Sequence, residues 1–526
     1  MPTLSNSFQS NFQFGNPGSA RPLDPEQPMR ILVMGDFSGG RGAGTAAERR
    51  FHRVDIDNFD EFLEKISPTA TVRLGDQSDA TIEIKIADLD DFHPDNLYRD
   101  VPLFHELREL RKRLMNPASF PQAVAELTAA LSIGADEPQS DQDGSGSAAQ
   151  SGSAAQSVRE AEPSGDGKSS TESDSEMLDR VLGQSAKTID TSTPRGPQVD
   201  IQSLIHQIVA PYIEPAPDPR QDEYVGHADA AIAGQMRAIL HDPSFQSLES
   251  AWRALHFLVS QVTMSTEVQV FVWDVTKSEL LDAGESESDQ LEDSILFRRL
   301  VTDREQIPFS LFVSDATYGH QLNDLILISR LGAIGAHCGG PFLGGASAQL
   351  MRVKHWTDEI PVAKMDDLSA QEENWQSVRT GPAAPWIGLA GPRFLLRLPY
   401  GESTGQVDAF DFSEIDDPNI DHEALLWGNP SFFVATLIAT SFLESGSSMS
   451  LGDNIEIGDL PALTYKEDGE VHLKACAEVF LSERVAERLL DQGLMPLMSF
   501  KNRNVVRVLR LQSVSSPAAS LSGLWS

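Results

Sequence analysis

A stretch with almost no large apolar residues runs from about Ala135 to Thr171, and it separates two segments that each have the composition of a folded domain. Runs such as GSGSAAQSGSAAQS cannot bury enough apolar surface to offset the entropy that ordering costs. We therefore predict a disordered acidic linker over residues 133–172. A flexible chain of about 40 residues keeps its ends within about 35 Å, so the two segments are held in one-to-one ratio at high effective concentration.

The fold class predicted from the sequence is α/β (α+β), with a small domain and a larger mixed α/β domain on either side of the linker. The predicted ranges are a flexible N-terminal arm over 1–27, the small domain over 28–132, the larger domain over 173–516 and a tail over 517–526. The chain of 526 residues with 40% hydrophobic content is long enough for two or three domains with proper cores.

Charge and cysteine content exclude several classes of protein. With 41 basic and 78 acidic side chains the net charge is −37, which argues against nucleic acid as a partner, since such binding needs clustered Lys and Arg. Cys338 and Cys476 stand alone, without a disulfide framework or a CxxC zinc pattern. No stretch approaches the ~20 apolar residues that span a bilayer. We expect a cytoplasmic protein that is not inserted in a membrane.

The sequence RILVMGDFSGG predicts a buried strand at Ile31–Met34 followed by a glycine-rich turn. Gly35 and Gly40 have the separation of the two glycines in a phosphate-binding loop. Arg41 and Gly42, however, replace the Lys and Ser/Thr that would contact phosphate and magnesium. The favoured interpretation is a tight turn, and nucleotide hydrolysis at Gly35 to Thr45 is a weaker alternative.

Helical patterns occur on both sides of the linker. Phe59 to Ile66 is predicted as a helix capped by Asp57 or Asn58, and Leu103 to Met115 has leucines at helical spacing. Asp242 and Pro243 are a cap and first residue of a helix whose apolar stripe includes Trp252. Beyond it, strands and helices alternate, with strands expected at 268–273, 309–313 and 341–343 and a helix at 322–336, which favours a partly parallel sheet.

No catalytic, cofactor-binding or metal-binding group is predicted. His337 and Cys338 suggest a nucleophile, but their neighbours are small and apolar, so we expect a buried structural thiol. The twelve His show no paired metal-ligand spacing. Core packing is favoured for Trp386 and Trp427, and a role in the core or in interfaces is open for the nearby polar and aromatic residues Arg393, Arg397, Tyr400 and Asn429.

Ordered blocks of sequence carry a resemblance to a known family. RILVMGDFSGG, FHRVDIDNFDEFLEKISP and IADLDDFHPDNLYRDVPLFHELRELRKRL resemble the small subunit (TssB/VipA) of the bacterial type VI secretion contractile sheath. ILHDPSFQSLESAWRALHFLV, PFSLFVSDATYGH, LGAIGAHCGGPFLGGAS, WIGLAGPRFLLRLPYG, LLWGNPSF, DLPALTY and GLMPLMSFKNRNVVRVLRLQSV resemble the large subunit (TssC/VipB). The chain resembles a fusion of subunits that are ordinarily separate.

The resemblance implies a structural, noncatalytic protomer of a bacterial cytoplasmic sheath that assembles around an inner tube, contracts and propels it. The implied partners are other sheath protomers, the inner tube protein, baseplate components and an AAA+ disassembly ATPase. The implied ATPase grip helix carries Met177, Leu178, Val181 and Leu182. Phe12 and Phe14 match an inter-protomer strand, with an unstructured terminus as the alternative.

One departure from the family raises a second hypothesis about function. The sequence stops within fifteen residues of LQSV, whereas the family continues through a C-terminal region. The alternative is a regulatory or assembly-limiting sheath paralogue that binds ordinary sheath subunits without polymerising alone. Pairing of the two halves within one chain and exchange between neighbouring chains both remain open from the sequence, because the linker is long enough for either.

Overall fold

The computed structural model describes residues 27–73, 81–116, 119–133, 221–262, 266–288, 290–303, 308–361, 370–402, 404–415, 422–467 and 469–525. The chain forms two compact units. The first comprises the described parts of Met1–Val72, Glu83–Leu97 and Ile239–Ser526, and the second comprises those of Arg73–Ile82 and Tyr98–Ala238. Both units contain residues from before and after the predicted linker, and the domain boundaries drawn from the sequence remain predictions.

Fifteen strands and eleven helices of seven residues or more lie in the described residues. The strands are β1 Met29–Gly35, β2 His52–Val54, β3 Thr69–Arg73, β4 Thr81–Lys85, β5 Val268–Asp274, β6 Leu311–Tyr318, β7 Phe342–Ala346, β8 Ile387–Gly391, β9 Phe394–Leu395, β10 Trp427–Gly428, β11 Glu456–Ile457, β12 Thr464–Glu467, β13 Glu470–Leu473, β14 Leu494–Ser499 and β15 Val506–Val508. The helices are α1 Phe59–Ile66, α2 Pro94–Asp100, α3 Pro102–Met115, α4 Phe120–Ile133, α5 Gln221–Leu240, α6 Pro243–Gln261, α7 Lys277–Ala283, α8 Leu322–Cys338, α9 Ala370–Thr380, α10 Pro430–Ser445 and α11 Glu483–Asp491. The mixed α/β class is confirmed.

A nine-stranded sheet with the order β11-β15-β14-β8-β7-β6-β1-β5-β2 forms the centre of the first unit. Its six inner strands, from β14 to β5, are parallel to one another. The outer strands on both sides pair antiparallel. Every residue of β1, β7 and β8 is buried, as expected for inner strands of a parallel sheet that is covered on both faces.

Two helices, α8 and α10, pack on this sheet. In α10 every residue from Pro430 to Ala439 is buried, which is typical of a helix enclosed on all sides. It packs on β6, β7 and β8 and contacts α6. On α8, Leu325, Ile328 and Leu331 belong to the same hydrophobic core cluster as Leu32 and Met34 of β1. The sheet thereby joins segments far apart in sequence into one core.

The second unit is largely helical in its described residues. On α3 the leucine stripe predicted from the sequence is buried, and the helix packs on α4. Arg111 of α3 forms a two-point ion pair with Asp229 of α5, including an Nη2 to Oδ2 contact of 3.2 Å. The Gln221 side chain donates to the carbonyl oxygen of Leu114 at 2.8 Å. Helices from both sides of the linker therefore contribute to this unit.

Several boundaries match the sequence predictions. Helix α1 has the predicted range, and α6 begins after Asp242, whose side chain accepts from the amides of Ser244 and Phe245. The N-cap of α1 is Asn58, but its side chain accepts from the amide of Asp55 at 3.0 Å and not from the helix. In both cases a short polar side chain fixes the chain direction before the helix.

One strand differs clearly from its predicted range. We expected a strand at 309–313, where the apolar run lies, but β6 is Leu311–Tyr318. Polar residues in its second half hid the continuation. The Ser314 and Tyr318 hydroxyls hydrogen-bond to each other at 2.8 Å, and Thr317 pairs with Gly345 of β7 after a register shift. Pairing with β7 therefore extends the strand past the end of its hydrophobic pattern.

Candidate functional site

The candidate site is the joint, by which we mean β1, its following turn and α1 together with the surfaces of β5, β6 and α6 that they contact. Strand β1 lies between β5 and β6, and its seven residues pair in parallel with Val268 to Asp274. On the other edge, Ile31 to Met34 pair with Leu311 to Ser314. A strand from before the linker is thus hydrogen-bonded on both edges by strands from after it.

Hydrogen bonds also fix both ends of β1. The amide of Met29 donates to the carbonyl oxygen of Glu267 at 2.7 Å, and the amide of Val275 donates to that of Gly35 at 2.8 Å. Near the start of the strand, the amide of Ser310 donates to the carbonyl oxygen of Arg30 at 2.7 Å. These bonds extend the pairing of β1 to both of its ends.

The turn after β1 is held by carboxylates of the protein. Asp274, 7% exposed, accepts through Oδ1 from the amides of Phe37 and Ser38 at 2.9 and 3.0 Å. Asp36 Oδ1 accepts from the amide of Gly40 at 2.7 Å. Gly39 has φ +73, and a Cβ there would lie 2.3 Å from the carbonyl oxygen of Thr69, so the turn needs glycine at this position. The predicted tight turn is present.

An arginine connects the same region to α7. The Arg49 guanidinium contacts both carboxylate oxygens of Glu279, at 2.5 and 2.9 Å, and donates to the carbonyl oxygen of Asp274 at 2.8 Å. Burial raises the pKa of Glu279, but the hydrogen bond from Arg49 and those from Thr276 outweigh it and lower the pKa below its usual value. A two-point arginine–carboxylate pair has a defined orientation, so it fixes the segment around Arg49 against α7.

Aromatic rings fill the space between α1, the turn and α6. Trp252 of α6 contacts Phe37, Phe59 and Phe62, with ring centroids 5.4, 5.7 and 5.5 Å apart respectively. Its indole N–H donates to the carbonyl oxygen of Phe37 at 2.9 Å. Such a buried aromatic cluster contributes large apolar area and defined geometry, and it packs α6 against α1 and the turn.

Arg30, near the start of β1, stacks on two aromatic rings. The Arg30 guanidinium, 5% exposed as a residue, lies over the rings of Phe271 and Phe309 at 4.4 and 4.8 Å. Burial lowers the pKa of Arg30. An arginine stacked between two rings retains its charge with less water than an ammonium would need.

Three carboxyl groups stand at the carboxyl ends of β1 and β5 and in β6, namely Asp36, Asp274 and Asp315. Burial, followed by the charge of Asp36, raises the pKa of Asp315 to about 8. Burial also raises the pKa of Asp274, against the hydrogen bonds from Ser38 and Phe37. The turn is unfavourable for a phosphate, because Asp274 and Asp36 already accept hydrogen bonds from its amides.

A buried ionic network, which we call the α6 network, links that helix to the segment after β9. Glu249 is fully buried and Glu414 is 1% exposed. Arg397 bonds both, at 2.7 Å to Glu249 Oε1 and 2.7 Å to Glu414 Oε2. Arg253 bonds Glu249 at 2.7 Å and the Tyr400 hydroxyl at 3.1 Å. Each buried charge in the network therefore has a charged partner, as burial requires.

The described residues contain one group with the ligand types of a metal site, formed by His422, Glu423 and Glu478. Arg393 already occupies it, since its guanidinium lies 2.5 Å from Glu478 Oε1 and 3.5 Å from Glu423 Oε2. His422 Nε2 is 3.2 Å from the same Glu478 oxygen. The group is therefore explained as an ion-pair cluster that supports β9 and the segment around Glu478.

Of the other residues singled out from the sequence, Cys338, Trp427 and Trp386 are buried or partly buried. Cys338 is partly buried and not fully buried as expected; desolvation raises its pKa to about 12, and its thiol donates to the carbonyl oxygen of Leu300 at 3.5 Å. Trp427 is buried, as predicted for a core residue, whereas Trp386 is partly exposed. The predicted grip residues Met177, Leu178, Val181 and Leu182 and the predicted strand residues Phe12 and Phe14 lie outside the described residues.

Sequence reasoning did not identify Arg49 and Asp274 as supports of the joint, or Glu249 as part of the α6 network. A signal existed for Asp274, an acid at the end of an apolar strand, since the carboxyl ends of parallel strands gather polar groups. Glu249 stands on the apolar side of α6 and interrupts the stripe, which is a sign of a buried partner. For none of the three does the local sequence indicate which residue is the partner.

Comparison with known protein families identifies the two regions of the chain that contribute to the joint. Residues 222–515 match the family described as VipB, EvpB/VC_A0108, tail sheath N-terminal domain, and residues 20–134 match the type VI secretion system family VipA, VC_A0107 or Hcp2. The chain belongs to the type VI secretion sheath family. It is a fusion of a TssB-like and a TssC-like region, as the sequence blocks indicated.

Curated relatives in Pseudomonas aeruginosa match each region of the fusion. The type VI secretion system sheath protein TssC1 is 29% identical over 308 residues, which are 56% of this chain and 62% of that protein. The type VI secretion system sheath protein TssB1 is 30% identical over 95 residues, 17% of this chain and 55% of that protein. The chain thus spans less than two thirds of the length of each of these relatives.

None of the described helices combines the length and the apolar character that crossing a membrane needs.

Proposed function

We propose that this chain is a structural protomer of a type VI secretion contractile sheath, in which the small and large subunit equivalents are covalently joined. The observation that carries the proposal is the joint. Two sheath-family regions occur in one chain, and the first strand of the TssB-like region lies inside the parallel sheet of the TssC-like region. A rigid composite body of this kind is the unit that a contractile polymer requires.

The proposed mechanism is mechanical and needs no bond-making chemistry. A sheath stores free energy in how its protomers contact one another, and repeated contacts that do not close into a ring generate a helical tube. Contraction changes the packing between rigid bodies while the connecting segments flex. The joint supports this role because seven paired residues, an aromatic cluster and ion pairs hold β1 in place within the body.

A noncatalytic role is supported by the turn after β1. The amides of Phe37, Ser38 and Gly40, which a phosphate-binding loop would offer to its ligand, donate to Asp274 and Asp36. Neighbouring acidic groups would repel a nucleotide. We therefore propose that this turn is structural, and a titration with ATP and magnesium is expected to give no binding signal.

The proposed partners are other sheath protomers, the inner tube protein, baseplate components and an AAA+ disassembly ATPase, in the bacterial cytoplasm. For the ATPase we propose the segment containing Met177, Leu178, Val181 and Leu182 as the grip. For the neighbouring protomer we propose a strand containing Phe12 and Phe14, which would add to an open sheet edge and contribute directional backbone hydrogen bonds.

Electron microscopy of the purified chain tests the proposed function. Tubes formed by the chain alone are the expected result. Particles that stay small alone and shorten the tubes of ordinary sheath subunits would instead support the assembly-limiting alternative. A matched control is Val33→Asp, which disrupts the buried centre of β1 and is expected to abolish assembly in either case.

A further inference from the structure

A small polar chamber lies in the first unit beside α9 and α11. It has about 40 Å³ of space for the centres of water-sized groups, where about 10–15 Å³ is enough for one water. The lining residues that matter here are His320, Arg352, Glu372, Trp375, Gln376 and Arg488. The chamber is therefore roomy enough for a group of three or four heavy atoms.

Two buried side chains that line the chamber lack hydrogen-bond partners among the described residues. Trp375 is 1% exposed and His320 is 8% exposed, and their Nε1 and Nε2 atoms respectively have no partner. An indole N–H only donates, so the missing partner of Trp375 must be an acceptor. Buried polar groups are nearly always satisfied, which indicates a ligand that supplies oxygen.

The charges of the lining favour an anionic acceptor. Arg352 and Arg488 are basic and Glu372 is the one acid among the lining residues. Arg352 Nε pairs with Glu372 Oε1, which leaves the positive charge of Arg488 in excess. Burial lowers the pKa of His320, and the tautomer with its proton on Nε2 donates from the atom that lacks a partner.

An open cleft adjoins the chamber and provides access. It has a volume of about 460 Å³ and shares His320, Arg352 and Glu372 with the chamber. Lys354 adds another basic side chain to its wall. A ligand that enters through this cleft meets donors at its inner end and net positive charge on the way.

We propose that the chamber binds a carboxylate group, which accepts from Trp375, His320 and Arg488. Its source is either a small free carboxylate ion or the side chain of an Asp or Glu on a partner protein that docks in the cleft. A carboxylate offers about four lone-pair sites and a full charge to donors arranged around it. The proposal does not depend on assembly into a sheath.

Fluorine NMR of the full chain labelled with 5-fluorotryptophan tests this proposal. The protein has seven tryptophans, and the resonance that disappears in Trp375→Phe is that of Trp375. Titration with acetate is expected to move this resonance saturably, while chloride at equal ionic strength leaves it in place. A capped peptide with a central Glu, compared with its Gln counterpart, reports whether a protein side chain also enters.

Two variants control the experiment. Arg488→Gln is expected to weaken the acetate response about tenfold or more, because a charged hydrogen bond is lost. Trp525→Phe is the matched control, since the Trp525 indole already donates to Leu521 at 2.7 Å, and it should retain the response. A Trp375 resonance that acetate and both peptides leave unmoved, or that moves equally with chloride, would overturn the proposal and indicate bound water alone.

Discussion

At the residue scale, the turn after β1 depends on carboxylates in place of an external ligand. Asp274 satisfies two backbone amides that would otherwise be buried without partners, and its own burial raises its pKa. The hydrogen bonds to the ionised form oppose that increase. The geometry of the turn therefore depends on Asp274.

Removing this side chain should destabilise the protein measurably. Asp274→Ala leaves the amides of Phe37 and Ser38 without acceptors, and we expect the free energy of unfolding to fall by about 2–4 kcal/mol in urea titrations. Asp282→Ala on α7 is the control, because Asp282 is exposed and surface changes typically stay within about 0.5 kcal/mol. Equal effects of the two substitutions would contradict the assignment.

Asp315 makes stability depend on pH in a defined direction. Its folded pKa of about 8 lies above its ordinary value of 3.8, so between these pH values the folded protein retains a proton that the unfolded chain releases. The stability of the protein therefore decreases as pH rises through that window, by about 1.4 kcal/mol per pH unit from this group. Asp315→Asn removes this loss and should be more stable than the parent protein at pH 8.

Denaturant titrations across pH 5 to 8 check this prediction. The free energy of unfolding of Asp315→Asn should fall less steeply with pH than that of the parent protein. Glu61→Gln, a change at an exposed acid, should leave the slope unaltered. An unchanged slope in Asp315→Asn would show that the carboxyl group is ionised in the folded state and would contradict the prediction.

At the scale of elements, α6 combines a predictable helix with an unpredictable environment. Its start at Pro243 and its buried stripe follow from the cap residue and the spacing of apolar residues, and both are confirmed. The partners of Glu249 and Trp252 come from segments about 150 and 200 residues away. Local patterns contain no information on such pairing, because it is decided by the whole packed structure.

The same contrast holds for β1. Its apolar run predicted a buried strand, and all seven of its residues are buried. The neighbours of the strand were not predictable, because any parallel apolar strand offers nearly the same backbone edge. The register is set by features that are specific to this chain, such as Arg30 over two phenylalanine rings and the Asp274 bonds to the turn.

The role of Met177, Leu178, Val181 and Leu182 as an ATPase grip stays a prediction.

The α6 network should respond strongly to loss of its shared arginine. Arg397→Leu removes the common partner of Glu249 and Glu414, both buried, and we expect a loss of about 3–5 kcal/mol in the free energy of unfolding. Arg507→Leu breaks an exposed pair with Glu456 and should cost about 0–1 kcal/mol. Comparable losses in the free energy of unfolding of the two variants would show that the buried network contributes no more to stability than an exposed ion pair.

The grip segment can be tested independently of the folded units. Leu178→Asp should abolish pull-down by the sheath-disassembling AAA+ ATPase, because a charge replaces an apolar anchor. Its circular dichroism and thermal midpoint should remain those of the parent protein. Gln184→Asp, a polar position in the same segment, is the control, and undiminished pull-down of Leu178→Asp would refute the assignment.

At the scale of the whole molecule, the fusion places two sheath-family regions in one chain and both contribute to each compact unit. The first unit combines β1 and β2 with the sheet of the TssC-like region, and the second combines α3 and α4 with α5. Separately encoded chains with such shared cores would each expose a large apolar surface alone. Their covalent connection removes the need for the two regions to find each other by diffusion.

Cutting the chain within residues 134–220 and expressing the two pieces separately and together tests this central claim most directly. The account predicts that neither piece is a soluble folded monomer, and that together they copurify in one-to-one ratio and unfold in a single cooperative transition. Val33→Asp in the first piece should abolish the copurification. Two pieces that fold alone, elute separately and unfold at unrelated midpoints would contradict a shared core.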